Sequence, residues 1–131
     1  ARGTEGRRWA GGNESSPLAY NVLETRIRFP SPIGVFPDGD TPEGVSDLSG
    51  GVFEWTSSAW GESDQELTFA YEYDAQDGRE AADTSYRVRR VTRGGSMWND
   101  VECARTAFRG ITSPGLRAHP NGMRLAQSRP E

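Results

Sequence analysis

The stretch "GGSMWNDVECARTAFRG", residues 94–110, holds the only cysteine of the chain, Cys103, and the single histidine, His119, follows shortly after it. A thiol within reach of an imidazole is the minimal kit of a nucleophile and its general base. The simpler reading is that a lone cysteine behaves as a small buried hydrophobe. Counting narrows the chemistry further. One Cys cannot make an internal disulfide, a CxxC redox pair or a thiolate-rich zinc site, and one His cannot furnish a multi-histidine metal centre. The same stretch offers a second chemistry, which is recognition. Trp98 beside Asn99 and Asp100, with Phe108 further on, sets aromatic anchors next to adaptable polar groups.

These residues need elements to position them, and the chain has few regular ones to offer. Its 131 residues suffice for one domain, or for a piece of a larger one. With 16 Gly, 8 Pro and no extended 3.6-residue periodicity, it reads as loop-rich. Residues 52–57 have the β-branched and aromatic character of a strand entered through Gly50-Gly51, and residues 85–96 read as a strand that ends at Gly94-Gly95. "ARTAFRG" and "GMRLAQ" are two shorter strand candidates, separated by the loop "ITSPGLRAHPN". "LAYNVLE" is a short buried segment, "FPSPIGVFPDGDTPEG" an ordered non-repetitive loop, and residues 1–16 irregular backbone pinned by Trp9. Residues 61–84 are acidic and read as a solvated surface excursion.

The formal net charge of −4 supplies no general field for nucleic acid or an anionic membrane. All the basic residues are Arg, which suits planar pairing to carboxylates but follows equally from a GC-rich genome. No apolar run approaches the length of a membrane span, and the start is unlike a signal peptide. The compartment is left unassigned.

The order of motifs is more specific than any one of them. "ARGTEGRRWAGGNE", "YNVLE", "PSPIGVFPDGDTPEGVSDLSGGVFEWTSSAWG", "VTRGGS", "ARTAFR" and "GMRLA" together resemble the formylglycine-generating enzyme, or sulfatase-modifying factor, family. The resemblance runs from Ala1 to Gln127 and is weakest over residues 61–84. It implies an α+β fold of the C-type lectin kind, loop-rich with short antiparallel strands. In that family a further segment normally precedes "ARG", so residues 1–131 would be the later part of one domain. The expected partner is the N-terminal part of the same domain or a separate chain that carries it. The same fold serves the variable ligand-binding proteins of diversity-generating retroelements, whose terminal loops resemble "RGGS" through "GMRLA".

What the resemblance implies for sites can be set against the residues present. Family members that bind calcium at the "DLSGGVFE" turn would do so here through Asp47, Gly50, Val52 and Glu54, and hard oxygen ligands around a glycine curve suit that ion. The alternative is a glycine turn capped by Asp47, with Glu54 paired to an Arg. A second calcium candidate is "NVLETR", with Asn21 and Glu24 as side-chain ligands. The active oxidases of the family hold Cu(I) between two cysteines. With one cysteine that dithiol cannot be built, and no copper is expected. Nor does His119 alone resemble the iron-binding histidines of the sulfoxide-synthesising branch. By likeness to the variable proteins, the contact surface would be Trp98, Asn99, Asp100, Glu102, Phe108, Ile111, Thr112, Leu116, His119 and Asn121. Arg105, Arg109 and Arg117 would lock the loops by pairing to carboxylates and carbonyls. Met97 and Met123 stand where the family has Trp and Phe, and so read as core replacements.

Three functions follow. The first is a non-catalytic ligand-binding or scaffolding module that meets a protein or glycan through loops 97–121. The second is an enzyme whose composite metal site is completed by an upstream segment, and the third is a structural subunit of a larger assembly.

Overall fold

The computed structural model describes residues 1–14, 16–66, 68–81 and 85–127. Parts of the acidic excursion therefore lie outside the described residues. Four strands form one sheet in the order β3-β2-β1-β4. Strand β1 (Phe53–Gly61) and β2 (Arg89–Arg93) are antiparallel, with Glu54 opposite Arg93 and Trp55 opposite Thr92. Between Trp55 and Ala59 the register slips, which gives β1 a bulge. Strand β3 (Gly110–Thr112) runs antiparallel to β2, and β4 (Asn121–Gly122) runs parallel to β1. The sheet is thus mixed rather than purely antiparallel.

The strand signals survive with shifted bounds. β1 starts one residue late and outlasts its expected end, because Thr56, Ser57 and Ser58 keep an extended backbone without an apolar alternation. "ARTAFRG" is not a strand. Its start closes a 3₁₀ turn, Val101–Ala104, capped by the Asp100 carboxylate, which accepts a hydrogen bond from the Cys103 N–H. Only its final glycine enters β3. "GMRLAQ" contributes Gly122 to β4 and then leaves the sheet. "LAYNVLE" falls largely in two 3₁₀ turns, Pro17–Ala19 and Leu23–Thr25.

The main apolar cluster lies outside the strands. Trp9, Ala19, Tyr20, Val22, Val101 and Ala104 pack together, so the loops rather than the sheet form the core around which the terminal segment is fixed. Polar bonds hold it where helices and strands would otherwise satisfy the backbone. The Trp9 indole N–H donates to the Val101 carbonyl at 2.9 Å, and the buried Ser49 hydroxyl accepts from Ala10 N–H and donates to the Ala104 carbonyl. Gly95 has φ +72°, and a Cβ there would lie 2.9 Å from the backbone of Ala104. Two independent constraints therefore require glycine at this hinge. Met97 is fully buried, as a core replacement should be, but Met123 is 75% exposed. Past Gly122 the chain no longer pairs with the sheet, which leaves Met123 without a core to enter.

Candidate functional site

The loop after Gly95 is tied to the segment around residues 20–28 rather than to the sheet. The Asn99 carbonyl accepts from Leu23 N–H at 2.9 Å, and the Glu24 carboxylate accepts from Val101 N–H at 3.1 Å. Ser96, fully buried, hydrogen-bonds the Asn99 side chain and turns the chain back on itself. These bonds leave Trp98 standing outward, 48% exposed, with its indole N–H on the Arg28 carbonyl at 3.1 Å. The His119 ring lies beside it, with centroids 6.3 Å apart and planes tilted by 54°. A large aromatic held by one hydrogen bond and flanked by a second ring is a pre-ordered surface.

The other expected contact residues divide. Asp100, Glu102, Leu116 and His119 are exposed. Glu102 is also engaged by Arg105 at 3.2 Å and more loosely by Arg8. Phe108 is half-buried and stacks on Phe53 at 6.3 Å. Ile111 is half-buried in β3 and Asn121 in β4. Thr112 is a correction: only 6% exposed, it faces Thr92 across β2 and β3 and has no surface to offer.

Cys103 is half-buried in the 3₁₀ turn. Burial, and after it the hydrogen bond and charge of Asp100, push its thiol up to about 11. A nucleophile needs the opposite shift. The acid beside it therefore stabilises the unreactive form.

The two carboxylates of the set proposed for calcium are engaged elsewhere. Glu54 carries the Arg124 guanidinium at 2.6 Å, and the same guanidinium donates to the Ser46 and Asp47 carbonyls. Asp47 in turn accepts from Gly34 N–H at 3.1 Å. An internal cation thus holds the turn that contains Gly50 and Val52, and as arranged the set does not fit a calcium ion. The second set is only partly engaged. Glu24 is bonded to Val101 N–H, and the buried Asn21 amide donates to Phe29 O and Ser31, although its Oδ1 has no partner among the described residues. No group of three His, Cys, Asp or Glu side chains is placed to hold a metal among the described residues.

The arginines that lock the loops are only partly those expected. Arg105 pairs with Glu102 and Arg109 donates to the Phe69 carbonyl, but neither is the main tie. That role falls to Arg93, whose Nη1 reaches the carbonyls of Thr106, Ala107 and Phe108. Its place next to "GGS" in the sequence was the available signal, and a strand end facing a non-repetitive segment is where free carbonyls collect.

The family model of the sulfatase-modifying factor enzyme 1-like domain matches residues 1–129. The chain belongs to this family. It is 31% identical over 123 residues to the hercynine oxygenase of Mycolicibacterium smegmatis and 31% over 120 residues to that of Mycobacterium tuberculosis. Each alignment covers 92% of this chain but only 28% and 27% of the respective relative, so the chain spans little more than a quarter of their length. Among solved structures it is similar to Treponema denticola variable protein 1, with a TM-score of 0.67 at 19% identity, covering 94% of this chain and 41% of the other. The loop-centred core and small curled sheet of this sulfatase-modifying-factor-like chain are accordingly an α+β, C-type lectin-like fold. No helix among its described residues is long and apolar enough to cross a membrane.

Proposed function

We propose that the chain is a non-catalytic recognition module that meets a protein or glycan through the surface around Trp98 and His119. The observation that carries this reading is the fixed, half-exposed Trp98. Its indole is oriented by Arg28, its ring is flanked by His119, and Asp100 and Leu116 add exposed polar and apolar groups in the neighbouring loops. A Cys103 thiol whose pKa is pushed up to about 11 supports it. Phe108, Ile111 and Asn121 lie at the sheet and serve as its support. The fold likeness to a protein named as variable fits a scaffold whose terminal loops carry the specificity.

A second reading draws on the hercynine oxygenase relatives. An upstream segment could complete a composite metal site, with this chain as one wall. Element analysis of the assembly purified from its native host separates the two. Stoichiometric iron or copper sinks the module reading. For the module itself, Trp98→Ala and His119→Ala are compared with wild type against an array of immobilised glycans and of proteins from the native host. The module reading requires ligands retained by wild type to be lost from both variants while the melting temperature stays within a few degrees.

A further inference from the structure

A cavity lies under the acidic excursion, against the face of β1 and β2. Its volume is about 260 Å³, and its wall includes Arg79, Arg93, Arg109, Tyr71, Thr56 and Ser58. Three guanidinium groups around one small space repel each other unless carboxylates intervene. Only Arg79 has one close by: Asp77 grips it through both oxygens, at 2.6 to 3.0 Å. Glu80, the next acid along, is held by the hydroxyls of Ser57 and Ser58 and by Tyr73. Arg93 and Arg109 have no carboxylate partner among the described residues. Arg93 spends its donors on three carbonyls and on the Tyr71 hydroxyl oxygen at 2.7 Å.

Arg109 is the more telling of the two. Its guanidinium lies over the rings of Trp60 and Tyr71, 4.9 and 5.4 Å from their centroids, which helps to fix its position. Among the described residues only one edge is used, Nη1 on the Phe69 carbonyl at 3.2 Å. The remaining N–H groups lie in the plane of a positioned fork, the geometry that suits a planar or tetrahedral oxyanion. Burial, with the charges of Arg93 and Arg79 behind it, holds the Arg109 pKa below its ordinary value, while Tyr71 opposes the shift.

We propose that this cavity is a binding site for a small oxyanion, a carboxylate, sulfate or phosphate group, seated on the unused N–H groups of Arg109 beside the positive charge of Arg93, with the Tyr71 hydroxyl, which accepts from Arg93 and keeps its own O–H to donate, on the wall. The volume admits a small oxyanion and part of the ligand that carries it. This site does not depend on the Trp98 surface, and it turns Arg109 from a loop tie into a ligand contact.

The test titrates the full chain with sodium acetate, sulfate and phosphate at constant ionic strength against chloride, and follows both the melting temperature and the Nε–Hε signals of the arginine side chains. A saturable response with movement of the Arg109 and Arg93 signals is expected. Acetate binding tightest identifies a carboxylate ligand, and sulfate or phosphate binding tightest identifies a tetrahedral one. Arg109→Gln should weaken the response roughly tenfold or more, as loss of a charge-assisted hydrogen bond does. Arg124→Gln, remote from the cavity, should not weaken it. No saturable response beyond chloride in wild type overturns the proposal, and so does a response that Arg109→Gln leaves intact. If Arg109→Gln fails to fold, the wild-type arginine signals decide alone.

Discussion

Arg124→Ala removes the guanidinium that joins the end of the chain to the glycine turn before β1. Three bonds are lost, to Glu54 at 2.6 Å, Asp47 O at 3.0 Å and Ser46 O at 3.2 Å. Hydrogen bonds to a charged group are worth about 1.5–3 kcal/mol when buried, and exposed ion pairs about 0.2–1 kcal/mol. The Arg124 side chain is 36% exposed and Glu54 18%, so solvent screening discounts the upper figure. The expected cost is about 1–2 kcal/mol, which for a chain of this size lowers the melting temperature by roughly 4–7 °C. The variant also leaves the Glu54 carboxylate without its cation, beside two unpaired carbonyls. Millimolar calcium should therefore restore part of the loss in Arg124→Ala and leave wild type unmoved, as scanning calorimetry with calcium or with chelator will show. A wild-type melting temperature that climbs with calcium as steeply as the variant's would refute the reasoning, because a metal would then be holding the turn that the guanidinium is argued to hold.

Three further perturbations probe the frame. Ser49→Ala leaves the buried Ala10 N–H and Ala104 carbonyl without their shared hydroxyl; about 2–3 kcal/mol of stability should go, measured by urea unfolding, and a loss below half a kilocalorie would show that water replaces the hydroxyl. Gly95→Ala combines a φ of +72° with a Cβ 2.9 Å from Ala104, so the cost should exceed about 3 kcal/mol, and a soluble variant with wild-type circular dichroism would count against the hinge. Cys103 should alkylate with iodoacetamide along a pH profile centred near 11 in the folded chain, against an ordinary value of 9.0. The sign follows from linkage: the folded state keeps the proton longer than the unfolded one, so this contribution to stability is intact below about 9 and is lost as the pH rises towards 11. Rapid alkylation of folded protein at pH 7 would contradict it.

How far the sequence discloses this molecule depends on whether a residue's role is set locally or by a distant partner. The Gly50-Gly51 entry to β1 and the Gly94-Gly95 exit from β2 are legible because positive φ is a local demand, met almost only by glycine. The division of the terminal loops is not, since Trp98 and Phe108 are equivalent by type. What separates them is the Arg28 carbonyl that catches one and the Phe53 ring that covers the other. Thr112 was misplaced for a related reason: a three-residue strand carries too little alternation to announce which side faces inward. Glu54 shows the same limit in charge. An acid beside glycines is written identically whether its counter-ion is calcium or an arginine seventy positions away, and only the fold brings Arg124 to it. The arginine cavity extends this point to the excursion, where Arg79 is buried although the surrounding sequence is acidic, and where Tyr71 provides a ring for Arg109. Net charge therefore misdescribes the excursion locally, and the uncompensated pair of Arg93 and Arg109 gives this acidic chain a place where an anion can be held.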